Sequence, residues 1–178
     1  NNSTSYTGDG TSGIYIWRAQ LEVGSFPTSY IKTEAAQVTR AADMAVMTGG
    51  NFSSWYSQSE GAFSIEASSR SNAAARFFSV NSGNTVSRVD LLKASTGQIQ
   101  LVTMTDGAVT TSNKLTESAL GKVAGAYKTN NIAVVLSGGI VATDLTASLP
   151  VASQINIGMT ASGASVLNGH IKRLAYYP

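Results

Sequence analysis

Apolar and polar residues alternate along short stretches of this chain, and this pattern constrains the fold more than any other feature. The clearest stretches cover residues 63–67, 88–91, 98–101 and 154–159. A period of two predicts strands that each bury one face. Turn-forming pairs such as Thr96-Gly97 and Asp106-Gly107 lie between them. Short strands separated by turns about every 8–12 residues predict an all-β protein, a sandwich or a barrel.

The composition agrees with strands and excludes several classes of protein. The chain has 178 residues, of which 24 are Ser and 18 are Thr, whereas the helix formers Lys, Glu and Leu are scarce. Hydrophobic residues make up 43%, enough for a core. The absence of Cys excludes disulfides and thiolate metal sites. A net charge of +2 gives no basis for binding nucleic acid, and no apolar run is long enough to span a membrane.

Two segments are less regular than the rest. Residues 132–136 are apolar on both faces, as in a strand that is covered on both sides. The Ser-Gly-Gly sequence at 137–139 predicts a hairpin turn into a second strand at 140–141. Residues 35–45 contain enough Ala for a short helix, but we interpret them as an extended linker that runs into a strand at 43–47.

The first part of the chain predicts one strand without an obvious partner. Tyr15, Trp17 and Leu21 alternate with polar residues, and a Phe-Pro turn follows at 26–27. One strand cannot bury its own apolar face, so these side chains need cover from elsewhere. We therefore divide the chain into an N-terminal strand and linker, residues 1–35, and a sandwich domain, residues 36–178.

Catalytic and metal-binding patterns are weak in this sequence. His170 is the only histidine, and no G-x-S-x-G sequence is present for a nucleophilic serine. The ten acidic residues stand singly, without the close pair that would indicate glycoside hydrolysis. Residues 8–13 match G-x-G-x-x-G, but a strand pattern follows instead of a helix, so we interpret them as a glycine-rich turn. We expect no enzymatic activity, no cofactor and no metal site; the alternative is calcium bound through Asp9, Asp106 or Asp144, each of which lies in a turn where Asp is common anyway.

Aromatic side chains in a polar segment are the best candidates for ligand binding. Trp55 and Tyr56 lie within the polar residues 51–59, where burial is not obviously required. Flat rings in loops can stack on the apolar faces of sugars, and Arg76 and Arg88 could attract an acidic polysaccharide. The alternatives are that Trp55 closes one end of the sandwich and that the arginines lie on a solvated surface.

Sequence pieces at both ends of the chain resemble one class of protein. Residues 13–24 read G-I-Y-I-W-R-A-Q-L-E-V-G, followed by T-S-Y-I at 28–31 and T-R-A-A-D at 39–43. This series resembles a junction in bacteriophage tail fibre and tailspike proteins, where a jelly roll similar to carbohydrate modules leads into the next domain. Pieces at 127–144, 149–150, 155–158 and 167–178, the last ending Y-Y-P, are similar to a concanavalin A-like (laminin-G-like) domain of such proteins.

The resemblance implies a fold, a location and a function. The fold would be an antiparallel two-sheet sandwich of the concanavalin A-like jelly-roll type, and residues 1–31 would complete an upstream jelly roll. The protein would be made in the bacterial cytoplasm and displayed on the virion tail as a homotrimer. It would bind bacterial surface polysaccharide or another host receptor without catalysis. A purely structural trimerisation or capping domain is the alternative, and a glycan lyase or hydrolase on the same fold is the third.

Overall fold

The computed structural model describes residues 7–22, 29–39, 44–69, 73–116 and 121–178, with the backbone alone for 109–116. The chain divides into two compact units, Asn1–Ala42 and Asp43–Pro178. All the regular secondary structure of the described residues belongs to the second unit. The predicted boundary between residues 35 and 36, and the assignment of the first part to another jelly roll, stay predictions.

The second unit consists of short strands and a single helical turn in its described parts. In chain order these are β1 (Ala45–Thr48), α1 (Gly50–Ser53), β2 (Glu60–Ser69), β3 (Ala75–Asn81), β4 (Arg88–Lys93), β5 (Gln98–Thr105), β6 (Ala108–Thr116), β7 (Lys122–Lys128), β8 (Asn131–Leu136), β9 (Ala142–Asp144), β10 (Gln154–Ile157) and β11 (Gly169–Tyr177).

The strands form two antiparallel sheets. A six-stranded sheet has the order β1-β10-β3-β4-β5-β6, and a five-stranded sheet has the order β11-β2-β7-β8-β9. Neighbours that are distant in sequence, such as β10 with β3 and β11 with β2, join the two ends of the unit. The prediction of an all-β, antiparallel two-sheet sandwich is therefore confirmed.

The core lies between the sheets and is built from the alternating residues. Phe63 of β2 meets Phe78 of β3, with 4.2 Å between the ring centroids. Leu91 and Leu101 pair across β4 and β5 and are fully buried. Because side chains alternate along a strand, the residues between these apolar ones point to the opposite face of the six-stranded sheet. Asp90, between Val89 and Leu91, is one of them.

The predicted strand at residues 14–21 is wrong. Residues 7–22 contain no strand, and Arg18 has a φ of 58°, in the left-handed region, which interrupts an extended run. A strand is held by hydrogen bonds to a neighbour, and within the described part of the first unit no segment pairs with this one. The alternating residues remain exposed, with Tyr15 and Leu21 fully so and Trp17 at 79%.

Two other segments differ in detail from their predictions. In β8, Ile132 and Val134 are buried whereas Ala133 and Val135 are half-buried, so one face of this strand is only partly covered. The predicted hairpin forms, but its second strand begins at Ala142, and residues 140–141 stay exposed. The strand predicted at 43–47 is β1, Ala45–Thr48, and its residue 43 lies outside the described part.

Candidate functional site

The predicted site residues Trp55 and Tyr56 lie at one end of the core. Gly49, with a φ of 60°, turns the chain from β1 into the helical turn α1, which buries Phe52. Tyr56 is 8% exposed and stacks on Phe52, with 4.7 Å between their centroids. The Trp55 indole N–H donates to the Asn51 carbonyl over 2.7 Å, and its ring meets the edge of Tyr176 at 5.0 Å.

These contacts are those of packing residues. The sequence indicates a polar loop for the segment that contains Trp55, whereas the structure forms a helical turn there that carries the aromatic side chains into the core. Tyr56 is buried and Trp55 is half-buried, so neither ring presents a whole face to a sugar. Closure of one end of the sandwich accounts for both residues. Sugar binding by Trp55 and Tyr56 stays a prediction.

Removing the Trp55 ring is therefore expected to lower stability. Trp55→Ala takes away the edge contacts with Phe52 and Tyr176, and for a half-buried ring we expect a loss of about 2 kcal/mol in the free energy of unfolding. Urea denaturation followed by circular dichroism measures this loss. An unchanged midpoint together with weaker glycan binding would instead show that Trp55 is a surface binding residue.

Tyrosine hydroxyls form a hydrogen-bond network beside this cluster. The Tyr127 hydroxyl donates to the Ser57 carbonyl over 2.6 Å, and the Ser57 amide donates to the Tyr176 hydroxyl over 2.9 Å. The two hydroxyls lie 2.9 Å apart. Burial raises the pKa of Tyr127 far above its usual range and raises that of Tyr56 to about 12.

The raised pKa values predict a loss of stability in alkali. Below pH 10, near the unfolded pKa of tyrosine, both states hold their phenolic protons. As the pH rises above 10, the unfolded chain loses protons that the folded state keeps, so unfolding becomes more favourable. We expect the melting temperature to fall from about pH 10 upward and less steeply in a Tyr56→Phe variant. Equal slopes for the two proteins would contradict this assignment.

The predicted site residues Arg76 and Arg88 meet at a buried carboxylate. On the face of the six-stranded sheet turned away from the core, the Nε atoms of Arg76 and Arg88 donate to the same oxygen of Asp90, Oδ2, at 3.2 and 2.7 Å. Asp90 is fully buried, and the two arginine side chains are 15% and 12% exposed. Arg88 Nη1 also contacts the Met104 sulfur at 3.1 Å. The arginines are thus not isolated on a solvated surface.

Buried amide side chains continue this polar row across β3 and β10, and Asn81 and Asn156 are at most 1% exposed. Asn81 Nδ2 donates to Asn156 Oδ1 and to the Ser79 carbonyl, at 2.9 and 3.0 Å. Gln154 Nε2 donates to the same oxygen of Asn156 at 2.9 Å. We call the set the polar array; it comprises Arg76, Ser79, Asn81, Arg88, Asp90, Gln154 and Asn156. Strand register places Asn156, Ser79 and Asp90 in one row across three neighbouring strands.

Two atoms of the polar array lack hydrogen-bond partners. Asp90 Oδ1 and Asn156 Nδ2 are buried and unpaired, although both residues use their other polar atom. Burying a polar atom without a partner costs about 1–3 kcal/mol, so such atoms are few in folded proteins. An unpaired acceptor and an unpaired donor in one row therefore indicate a place for a polar group from outside the chain.

A cavity of about 360 Å³ lies at the end of the six-stranded sheet where the polar array ends, and we call it the rim cavity. It is lined by Ser82, Asn84, Ser87, Thr105, Asp106, Leu149, Pro150 and Val151. The Ser87 hydroxyl donates to Asp106 Oδ1 at 3.2 Å, and Asn84 Oδ1 accepts the Val86 and Ser87 amides. Ser82 and Ser87 directly follow and precede Asn81 and Arg88 in sequence, so the rim cavity lies at the same end of β3 and β4 as these two residues.

Other candidates from the sequence contribute less. His170 is exposed on β11, in the sheet without the polar array. Asp9 folds residues 8–13 into a turn, where its carboxylate accepts the Ser12 hydroxyl and then the Ser12 and Thr11 amides, and these bonds lower its pKa. Within the described ranges, no group of three or more His, Asp or Glu side chains could hold a metal ion. Among those residues, too, no helix has the length and apolar character needed to cross a membrane.

Comparisons with known proteins identify solved structures that are similar to this fold. No protein-family model and no curated protein match the sequence. The IT-sialidase CBM40 of Ruminococcus gnavus bound to α2,3-sialyllactose is similar in structure, with a TM-score of 0.58 and 18% identity over 67% of this chain and 76% of that chain. Domains LG4-5 of the mouse laminin α1 chain have a TM-score of 0.57 and 13% identity over 76% of this chain and 38% of that one.

A third similar structure belongs to an enzyme. The leech intramolecular trans-sialidase complexed with 2,7-anhydro-Neu5Ac has a TM-score of 0.54 and 17% identity, over 67% of this chain but only 21% of that chain. At these identities the comparisons establish the fold. The chain has the jelly-roll sandwich fold of carbohydrate-binding modules and laminin G domains, as the sequence resemblance implied.

Proposed function

We propose that this chain is a non-catalytic glycan-binding module of a bacteriophage tail fibre or tailspike protein. The polar array carries the proposal, because it buries a carboxylate, two guanidinium groups and two unpaired polar atoms on one sheet face. Such an arrangement adds little to stability, since desolvation offsets most of the attraction between buried charges. It does supply hydrogen-bond donors and acceptors that are fixed in position by strands.

The chemistry of the polar array and the rim cavity suits a sugar. Sugar hydroxyls donate and accept, and the polar array holds guanidinium donors, a carboxylate and amide groups along one face of the six-stranded sheet. The rim cavity, at about 360 Å³, falls in the range of small-molecule sites, and Leu149 and Pro150 give it an apolar side. The similar CBM40 structure, which holds α2,3-sialyllactose, supports a glycan as the class of ligand.

The tail protein setting is supported by the sequence resemblance of residues 13–43 and 127–178. It implies display on the virion and recognition of polysaccharide, or of another receptor, on the bacterial surface. A second candidate function is assembly of the tail protein, and it is favoured by the first unit. The exposed side chains Ile14, Tyr15, Trp17 and Leu21 form an apolar stretch that would be covered in a homotrimer.

Glycan binding by the full chain tests the proposal. We expect the wild-type chain to bind a subset of bacterial polysaccharides on an array. Arg88→Gln loses a charged donor of the polar array and should bind them about 10-fold more weakly. Lys172→Gln, on the exposed face of the other sheet, is the matched control. If no polysaccharide binds and the chain sediments as a trimer, the result would favour assembly of the tail protein as its function.

A further inference from the structure

The unpaired atoms of the polar array identify what kind of sugar it would take, an inference that rests on the proposed function. Asp90 Oδ1 is an acceptor without a donor, and Asn156 Nδ2 is a donor without an acceptor. The two residues lie in one row with Ser79 between them, two strand spacings or about 9.6 Å apart. One sugar ring carries several hydroxyls and a ring oxygen, so a single ring offers both a donor and an acceptor to the row.

The free oxygen of Asp90 favours an uncharged group at this place. Both guanidinium groups bind Oδ2 of Asp90, so they already face a carboxylate. The carboxylate of an acidic sugar would approach the free oxygen, Oδ1, as a like charge, and it could not donate a hydrogen bond to it. A hydroxyl can donate to Asp90 Oδ1, and a second hydroxyl or the ring oxygen can accept from Asn156 Nδ2.

We propose that the row formed by Asn156, Ser79 and Asp90 is a subsite for a neutral hexose unit. All three residues are at most 1% exposed, so a sugar reaches the row only when side chains that cover it move, and the arginines that contact Asp90 do reach solvent. Arg76 makes the longer contact, 3.2 Å against 2.7 Å for Arg88, so Arg76 is the side chain that moves aside. Arg88 stays in place and keeps Oδ2 of Asp90 bound.

Isothermal titration with matched neutral and acidic oligosaccharides tests this subsite. The neutral probes are lactose, maltotriose and mannotriose, and the acidic probes are α2,3-sialyllactose and trigalacturonate. We expect the wild-type chain to bind at least one neutral probe and to bind lactose at least as well as its sialylated form. In Asp90→Asn the amide oxygen must face the arginines, so the amide N–H takes the place of Oδ1. This variant should bind the neutral probes about 10- to 100-fold more weakly.

A second variant keeps the test valid if Asp90→Asn does not fold. Asn156→Asp replaces only the unpaired nitrogen by oxygen and keeps the oxygen that accepts from Asn81 and Gln154. It should also weaken neutral binding about 10-fold. Glu66→Gln, on the opposite sheet, is the control that should bind as the wild type does.

The results separate this inference from the proposed function. Binding of acidic probes alone, or neutral binding that both variants leave unchanged, would overturn the neutral subsite while glycan binding itself stands. Failure of every neutral and acidic probe, and of every polysaccharide on the array, would remove the proposed function and this subsite with it.

Discussion

Asp90→Ala is expected to lower the free energy of unfolding by about 3–5 kcal/mol, because it leaves two largely buried guanidinium groups without their carboxylate. Arg76 and Arg88 would then face each other as like charges on one sheet face. Chemical denaturation at pH 7 measures the loss. The corresponding change on the exposed face of the other sheet, Glu66→Ala, breaks a pair with Lys172 that solvent screens, and it should have a much smaller effect.

A combined replacement shows whether the polar array is retained for stability or for binding. Replacing Arg76, Arg88 and Asp90 together by Leu removes the buried charges and their desolvation cost, so much of the stability lost in Asp90→Ala should return. The same variant leaves the polar array without a charged group to bind a sugar. A triple variant that is stable but does not bind glycan is the outcome we expect. Full binding by that variant would contradict a functional role for the polar array.

The fold could be predicted from the sequence wherever alternation was strict. Residues 63–67 lie in β2 and residues 98–101 in β5, since their apolar positions face a core that both sheets share. At residues 14–21 alternation predicted a strand that does not form. Alternation shows that a segment could pair as a strand, but it does not show that a neighbouring strand exists. The helical turn α1 was also missed; four residues are too few for a periodic pattern, and its position depends on Gly49.

The candidate site could be predicted only in part. Arg76 and Arg88 were selected for their charge, but their meeting point at Asp90 depends on the register of β3 against β4, which sequence does not reveal. A usable signal was present, because Arg88 and Asp90 are two residues apart and so lie on one face of a strand. Asn156 could not be connected with them, since β10 joins β3 from a position far along the chain.

Gly61→Ala is expected to cost about 2–4 kcal/mol of unfolding free energy, through overpacking and lost hydrogen bonds. A Cβ at this position in β2 would lie 2.5 Å from the Tyr176 hydroxyl and 2.7 Å from that of Tyr127. Both hydroxyls are held by Ser57 and by each other, so neither ring can withdraw without breaking a buried hydrogen bond.

A matched substitution separates this steric effect from a general effect of replacing glycine. Gly50→Ala, in α1, places a Cβ in open space and should be neutral or slightly stabilising. Thermal and urea denaturation of the two variants should therefore differ clearly. The tyrosine network lies in the sheet that lacks the polar array, at the end of β2 opposite to Glu66. Gly61→Ala should therefore retain any glycan binding at temperatures where the variant is folded. Loss of binding in folded Gly61→Ala would place the glycan site at the aromatic cluster of Trp55 and Tyr56 instead.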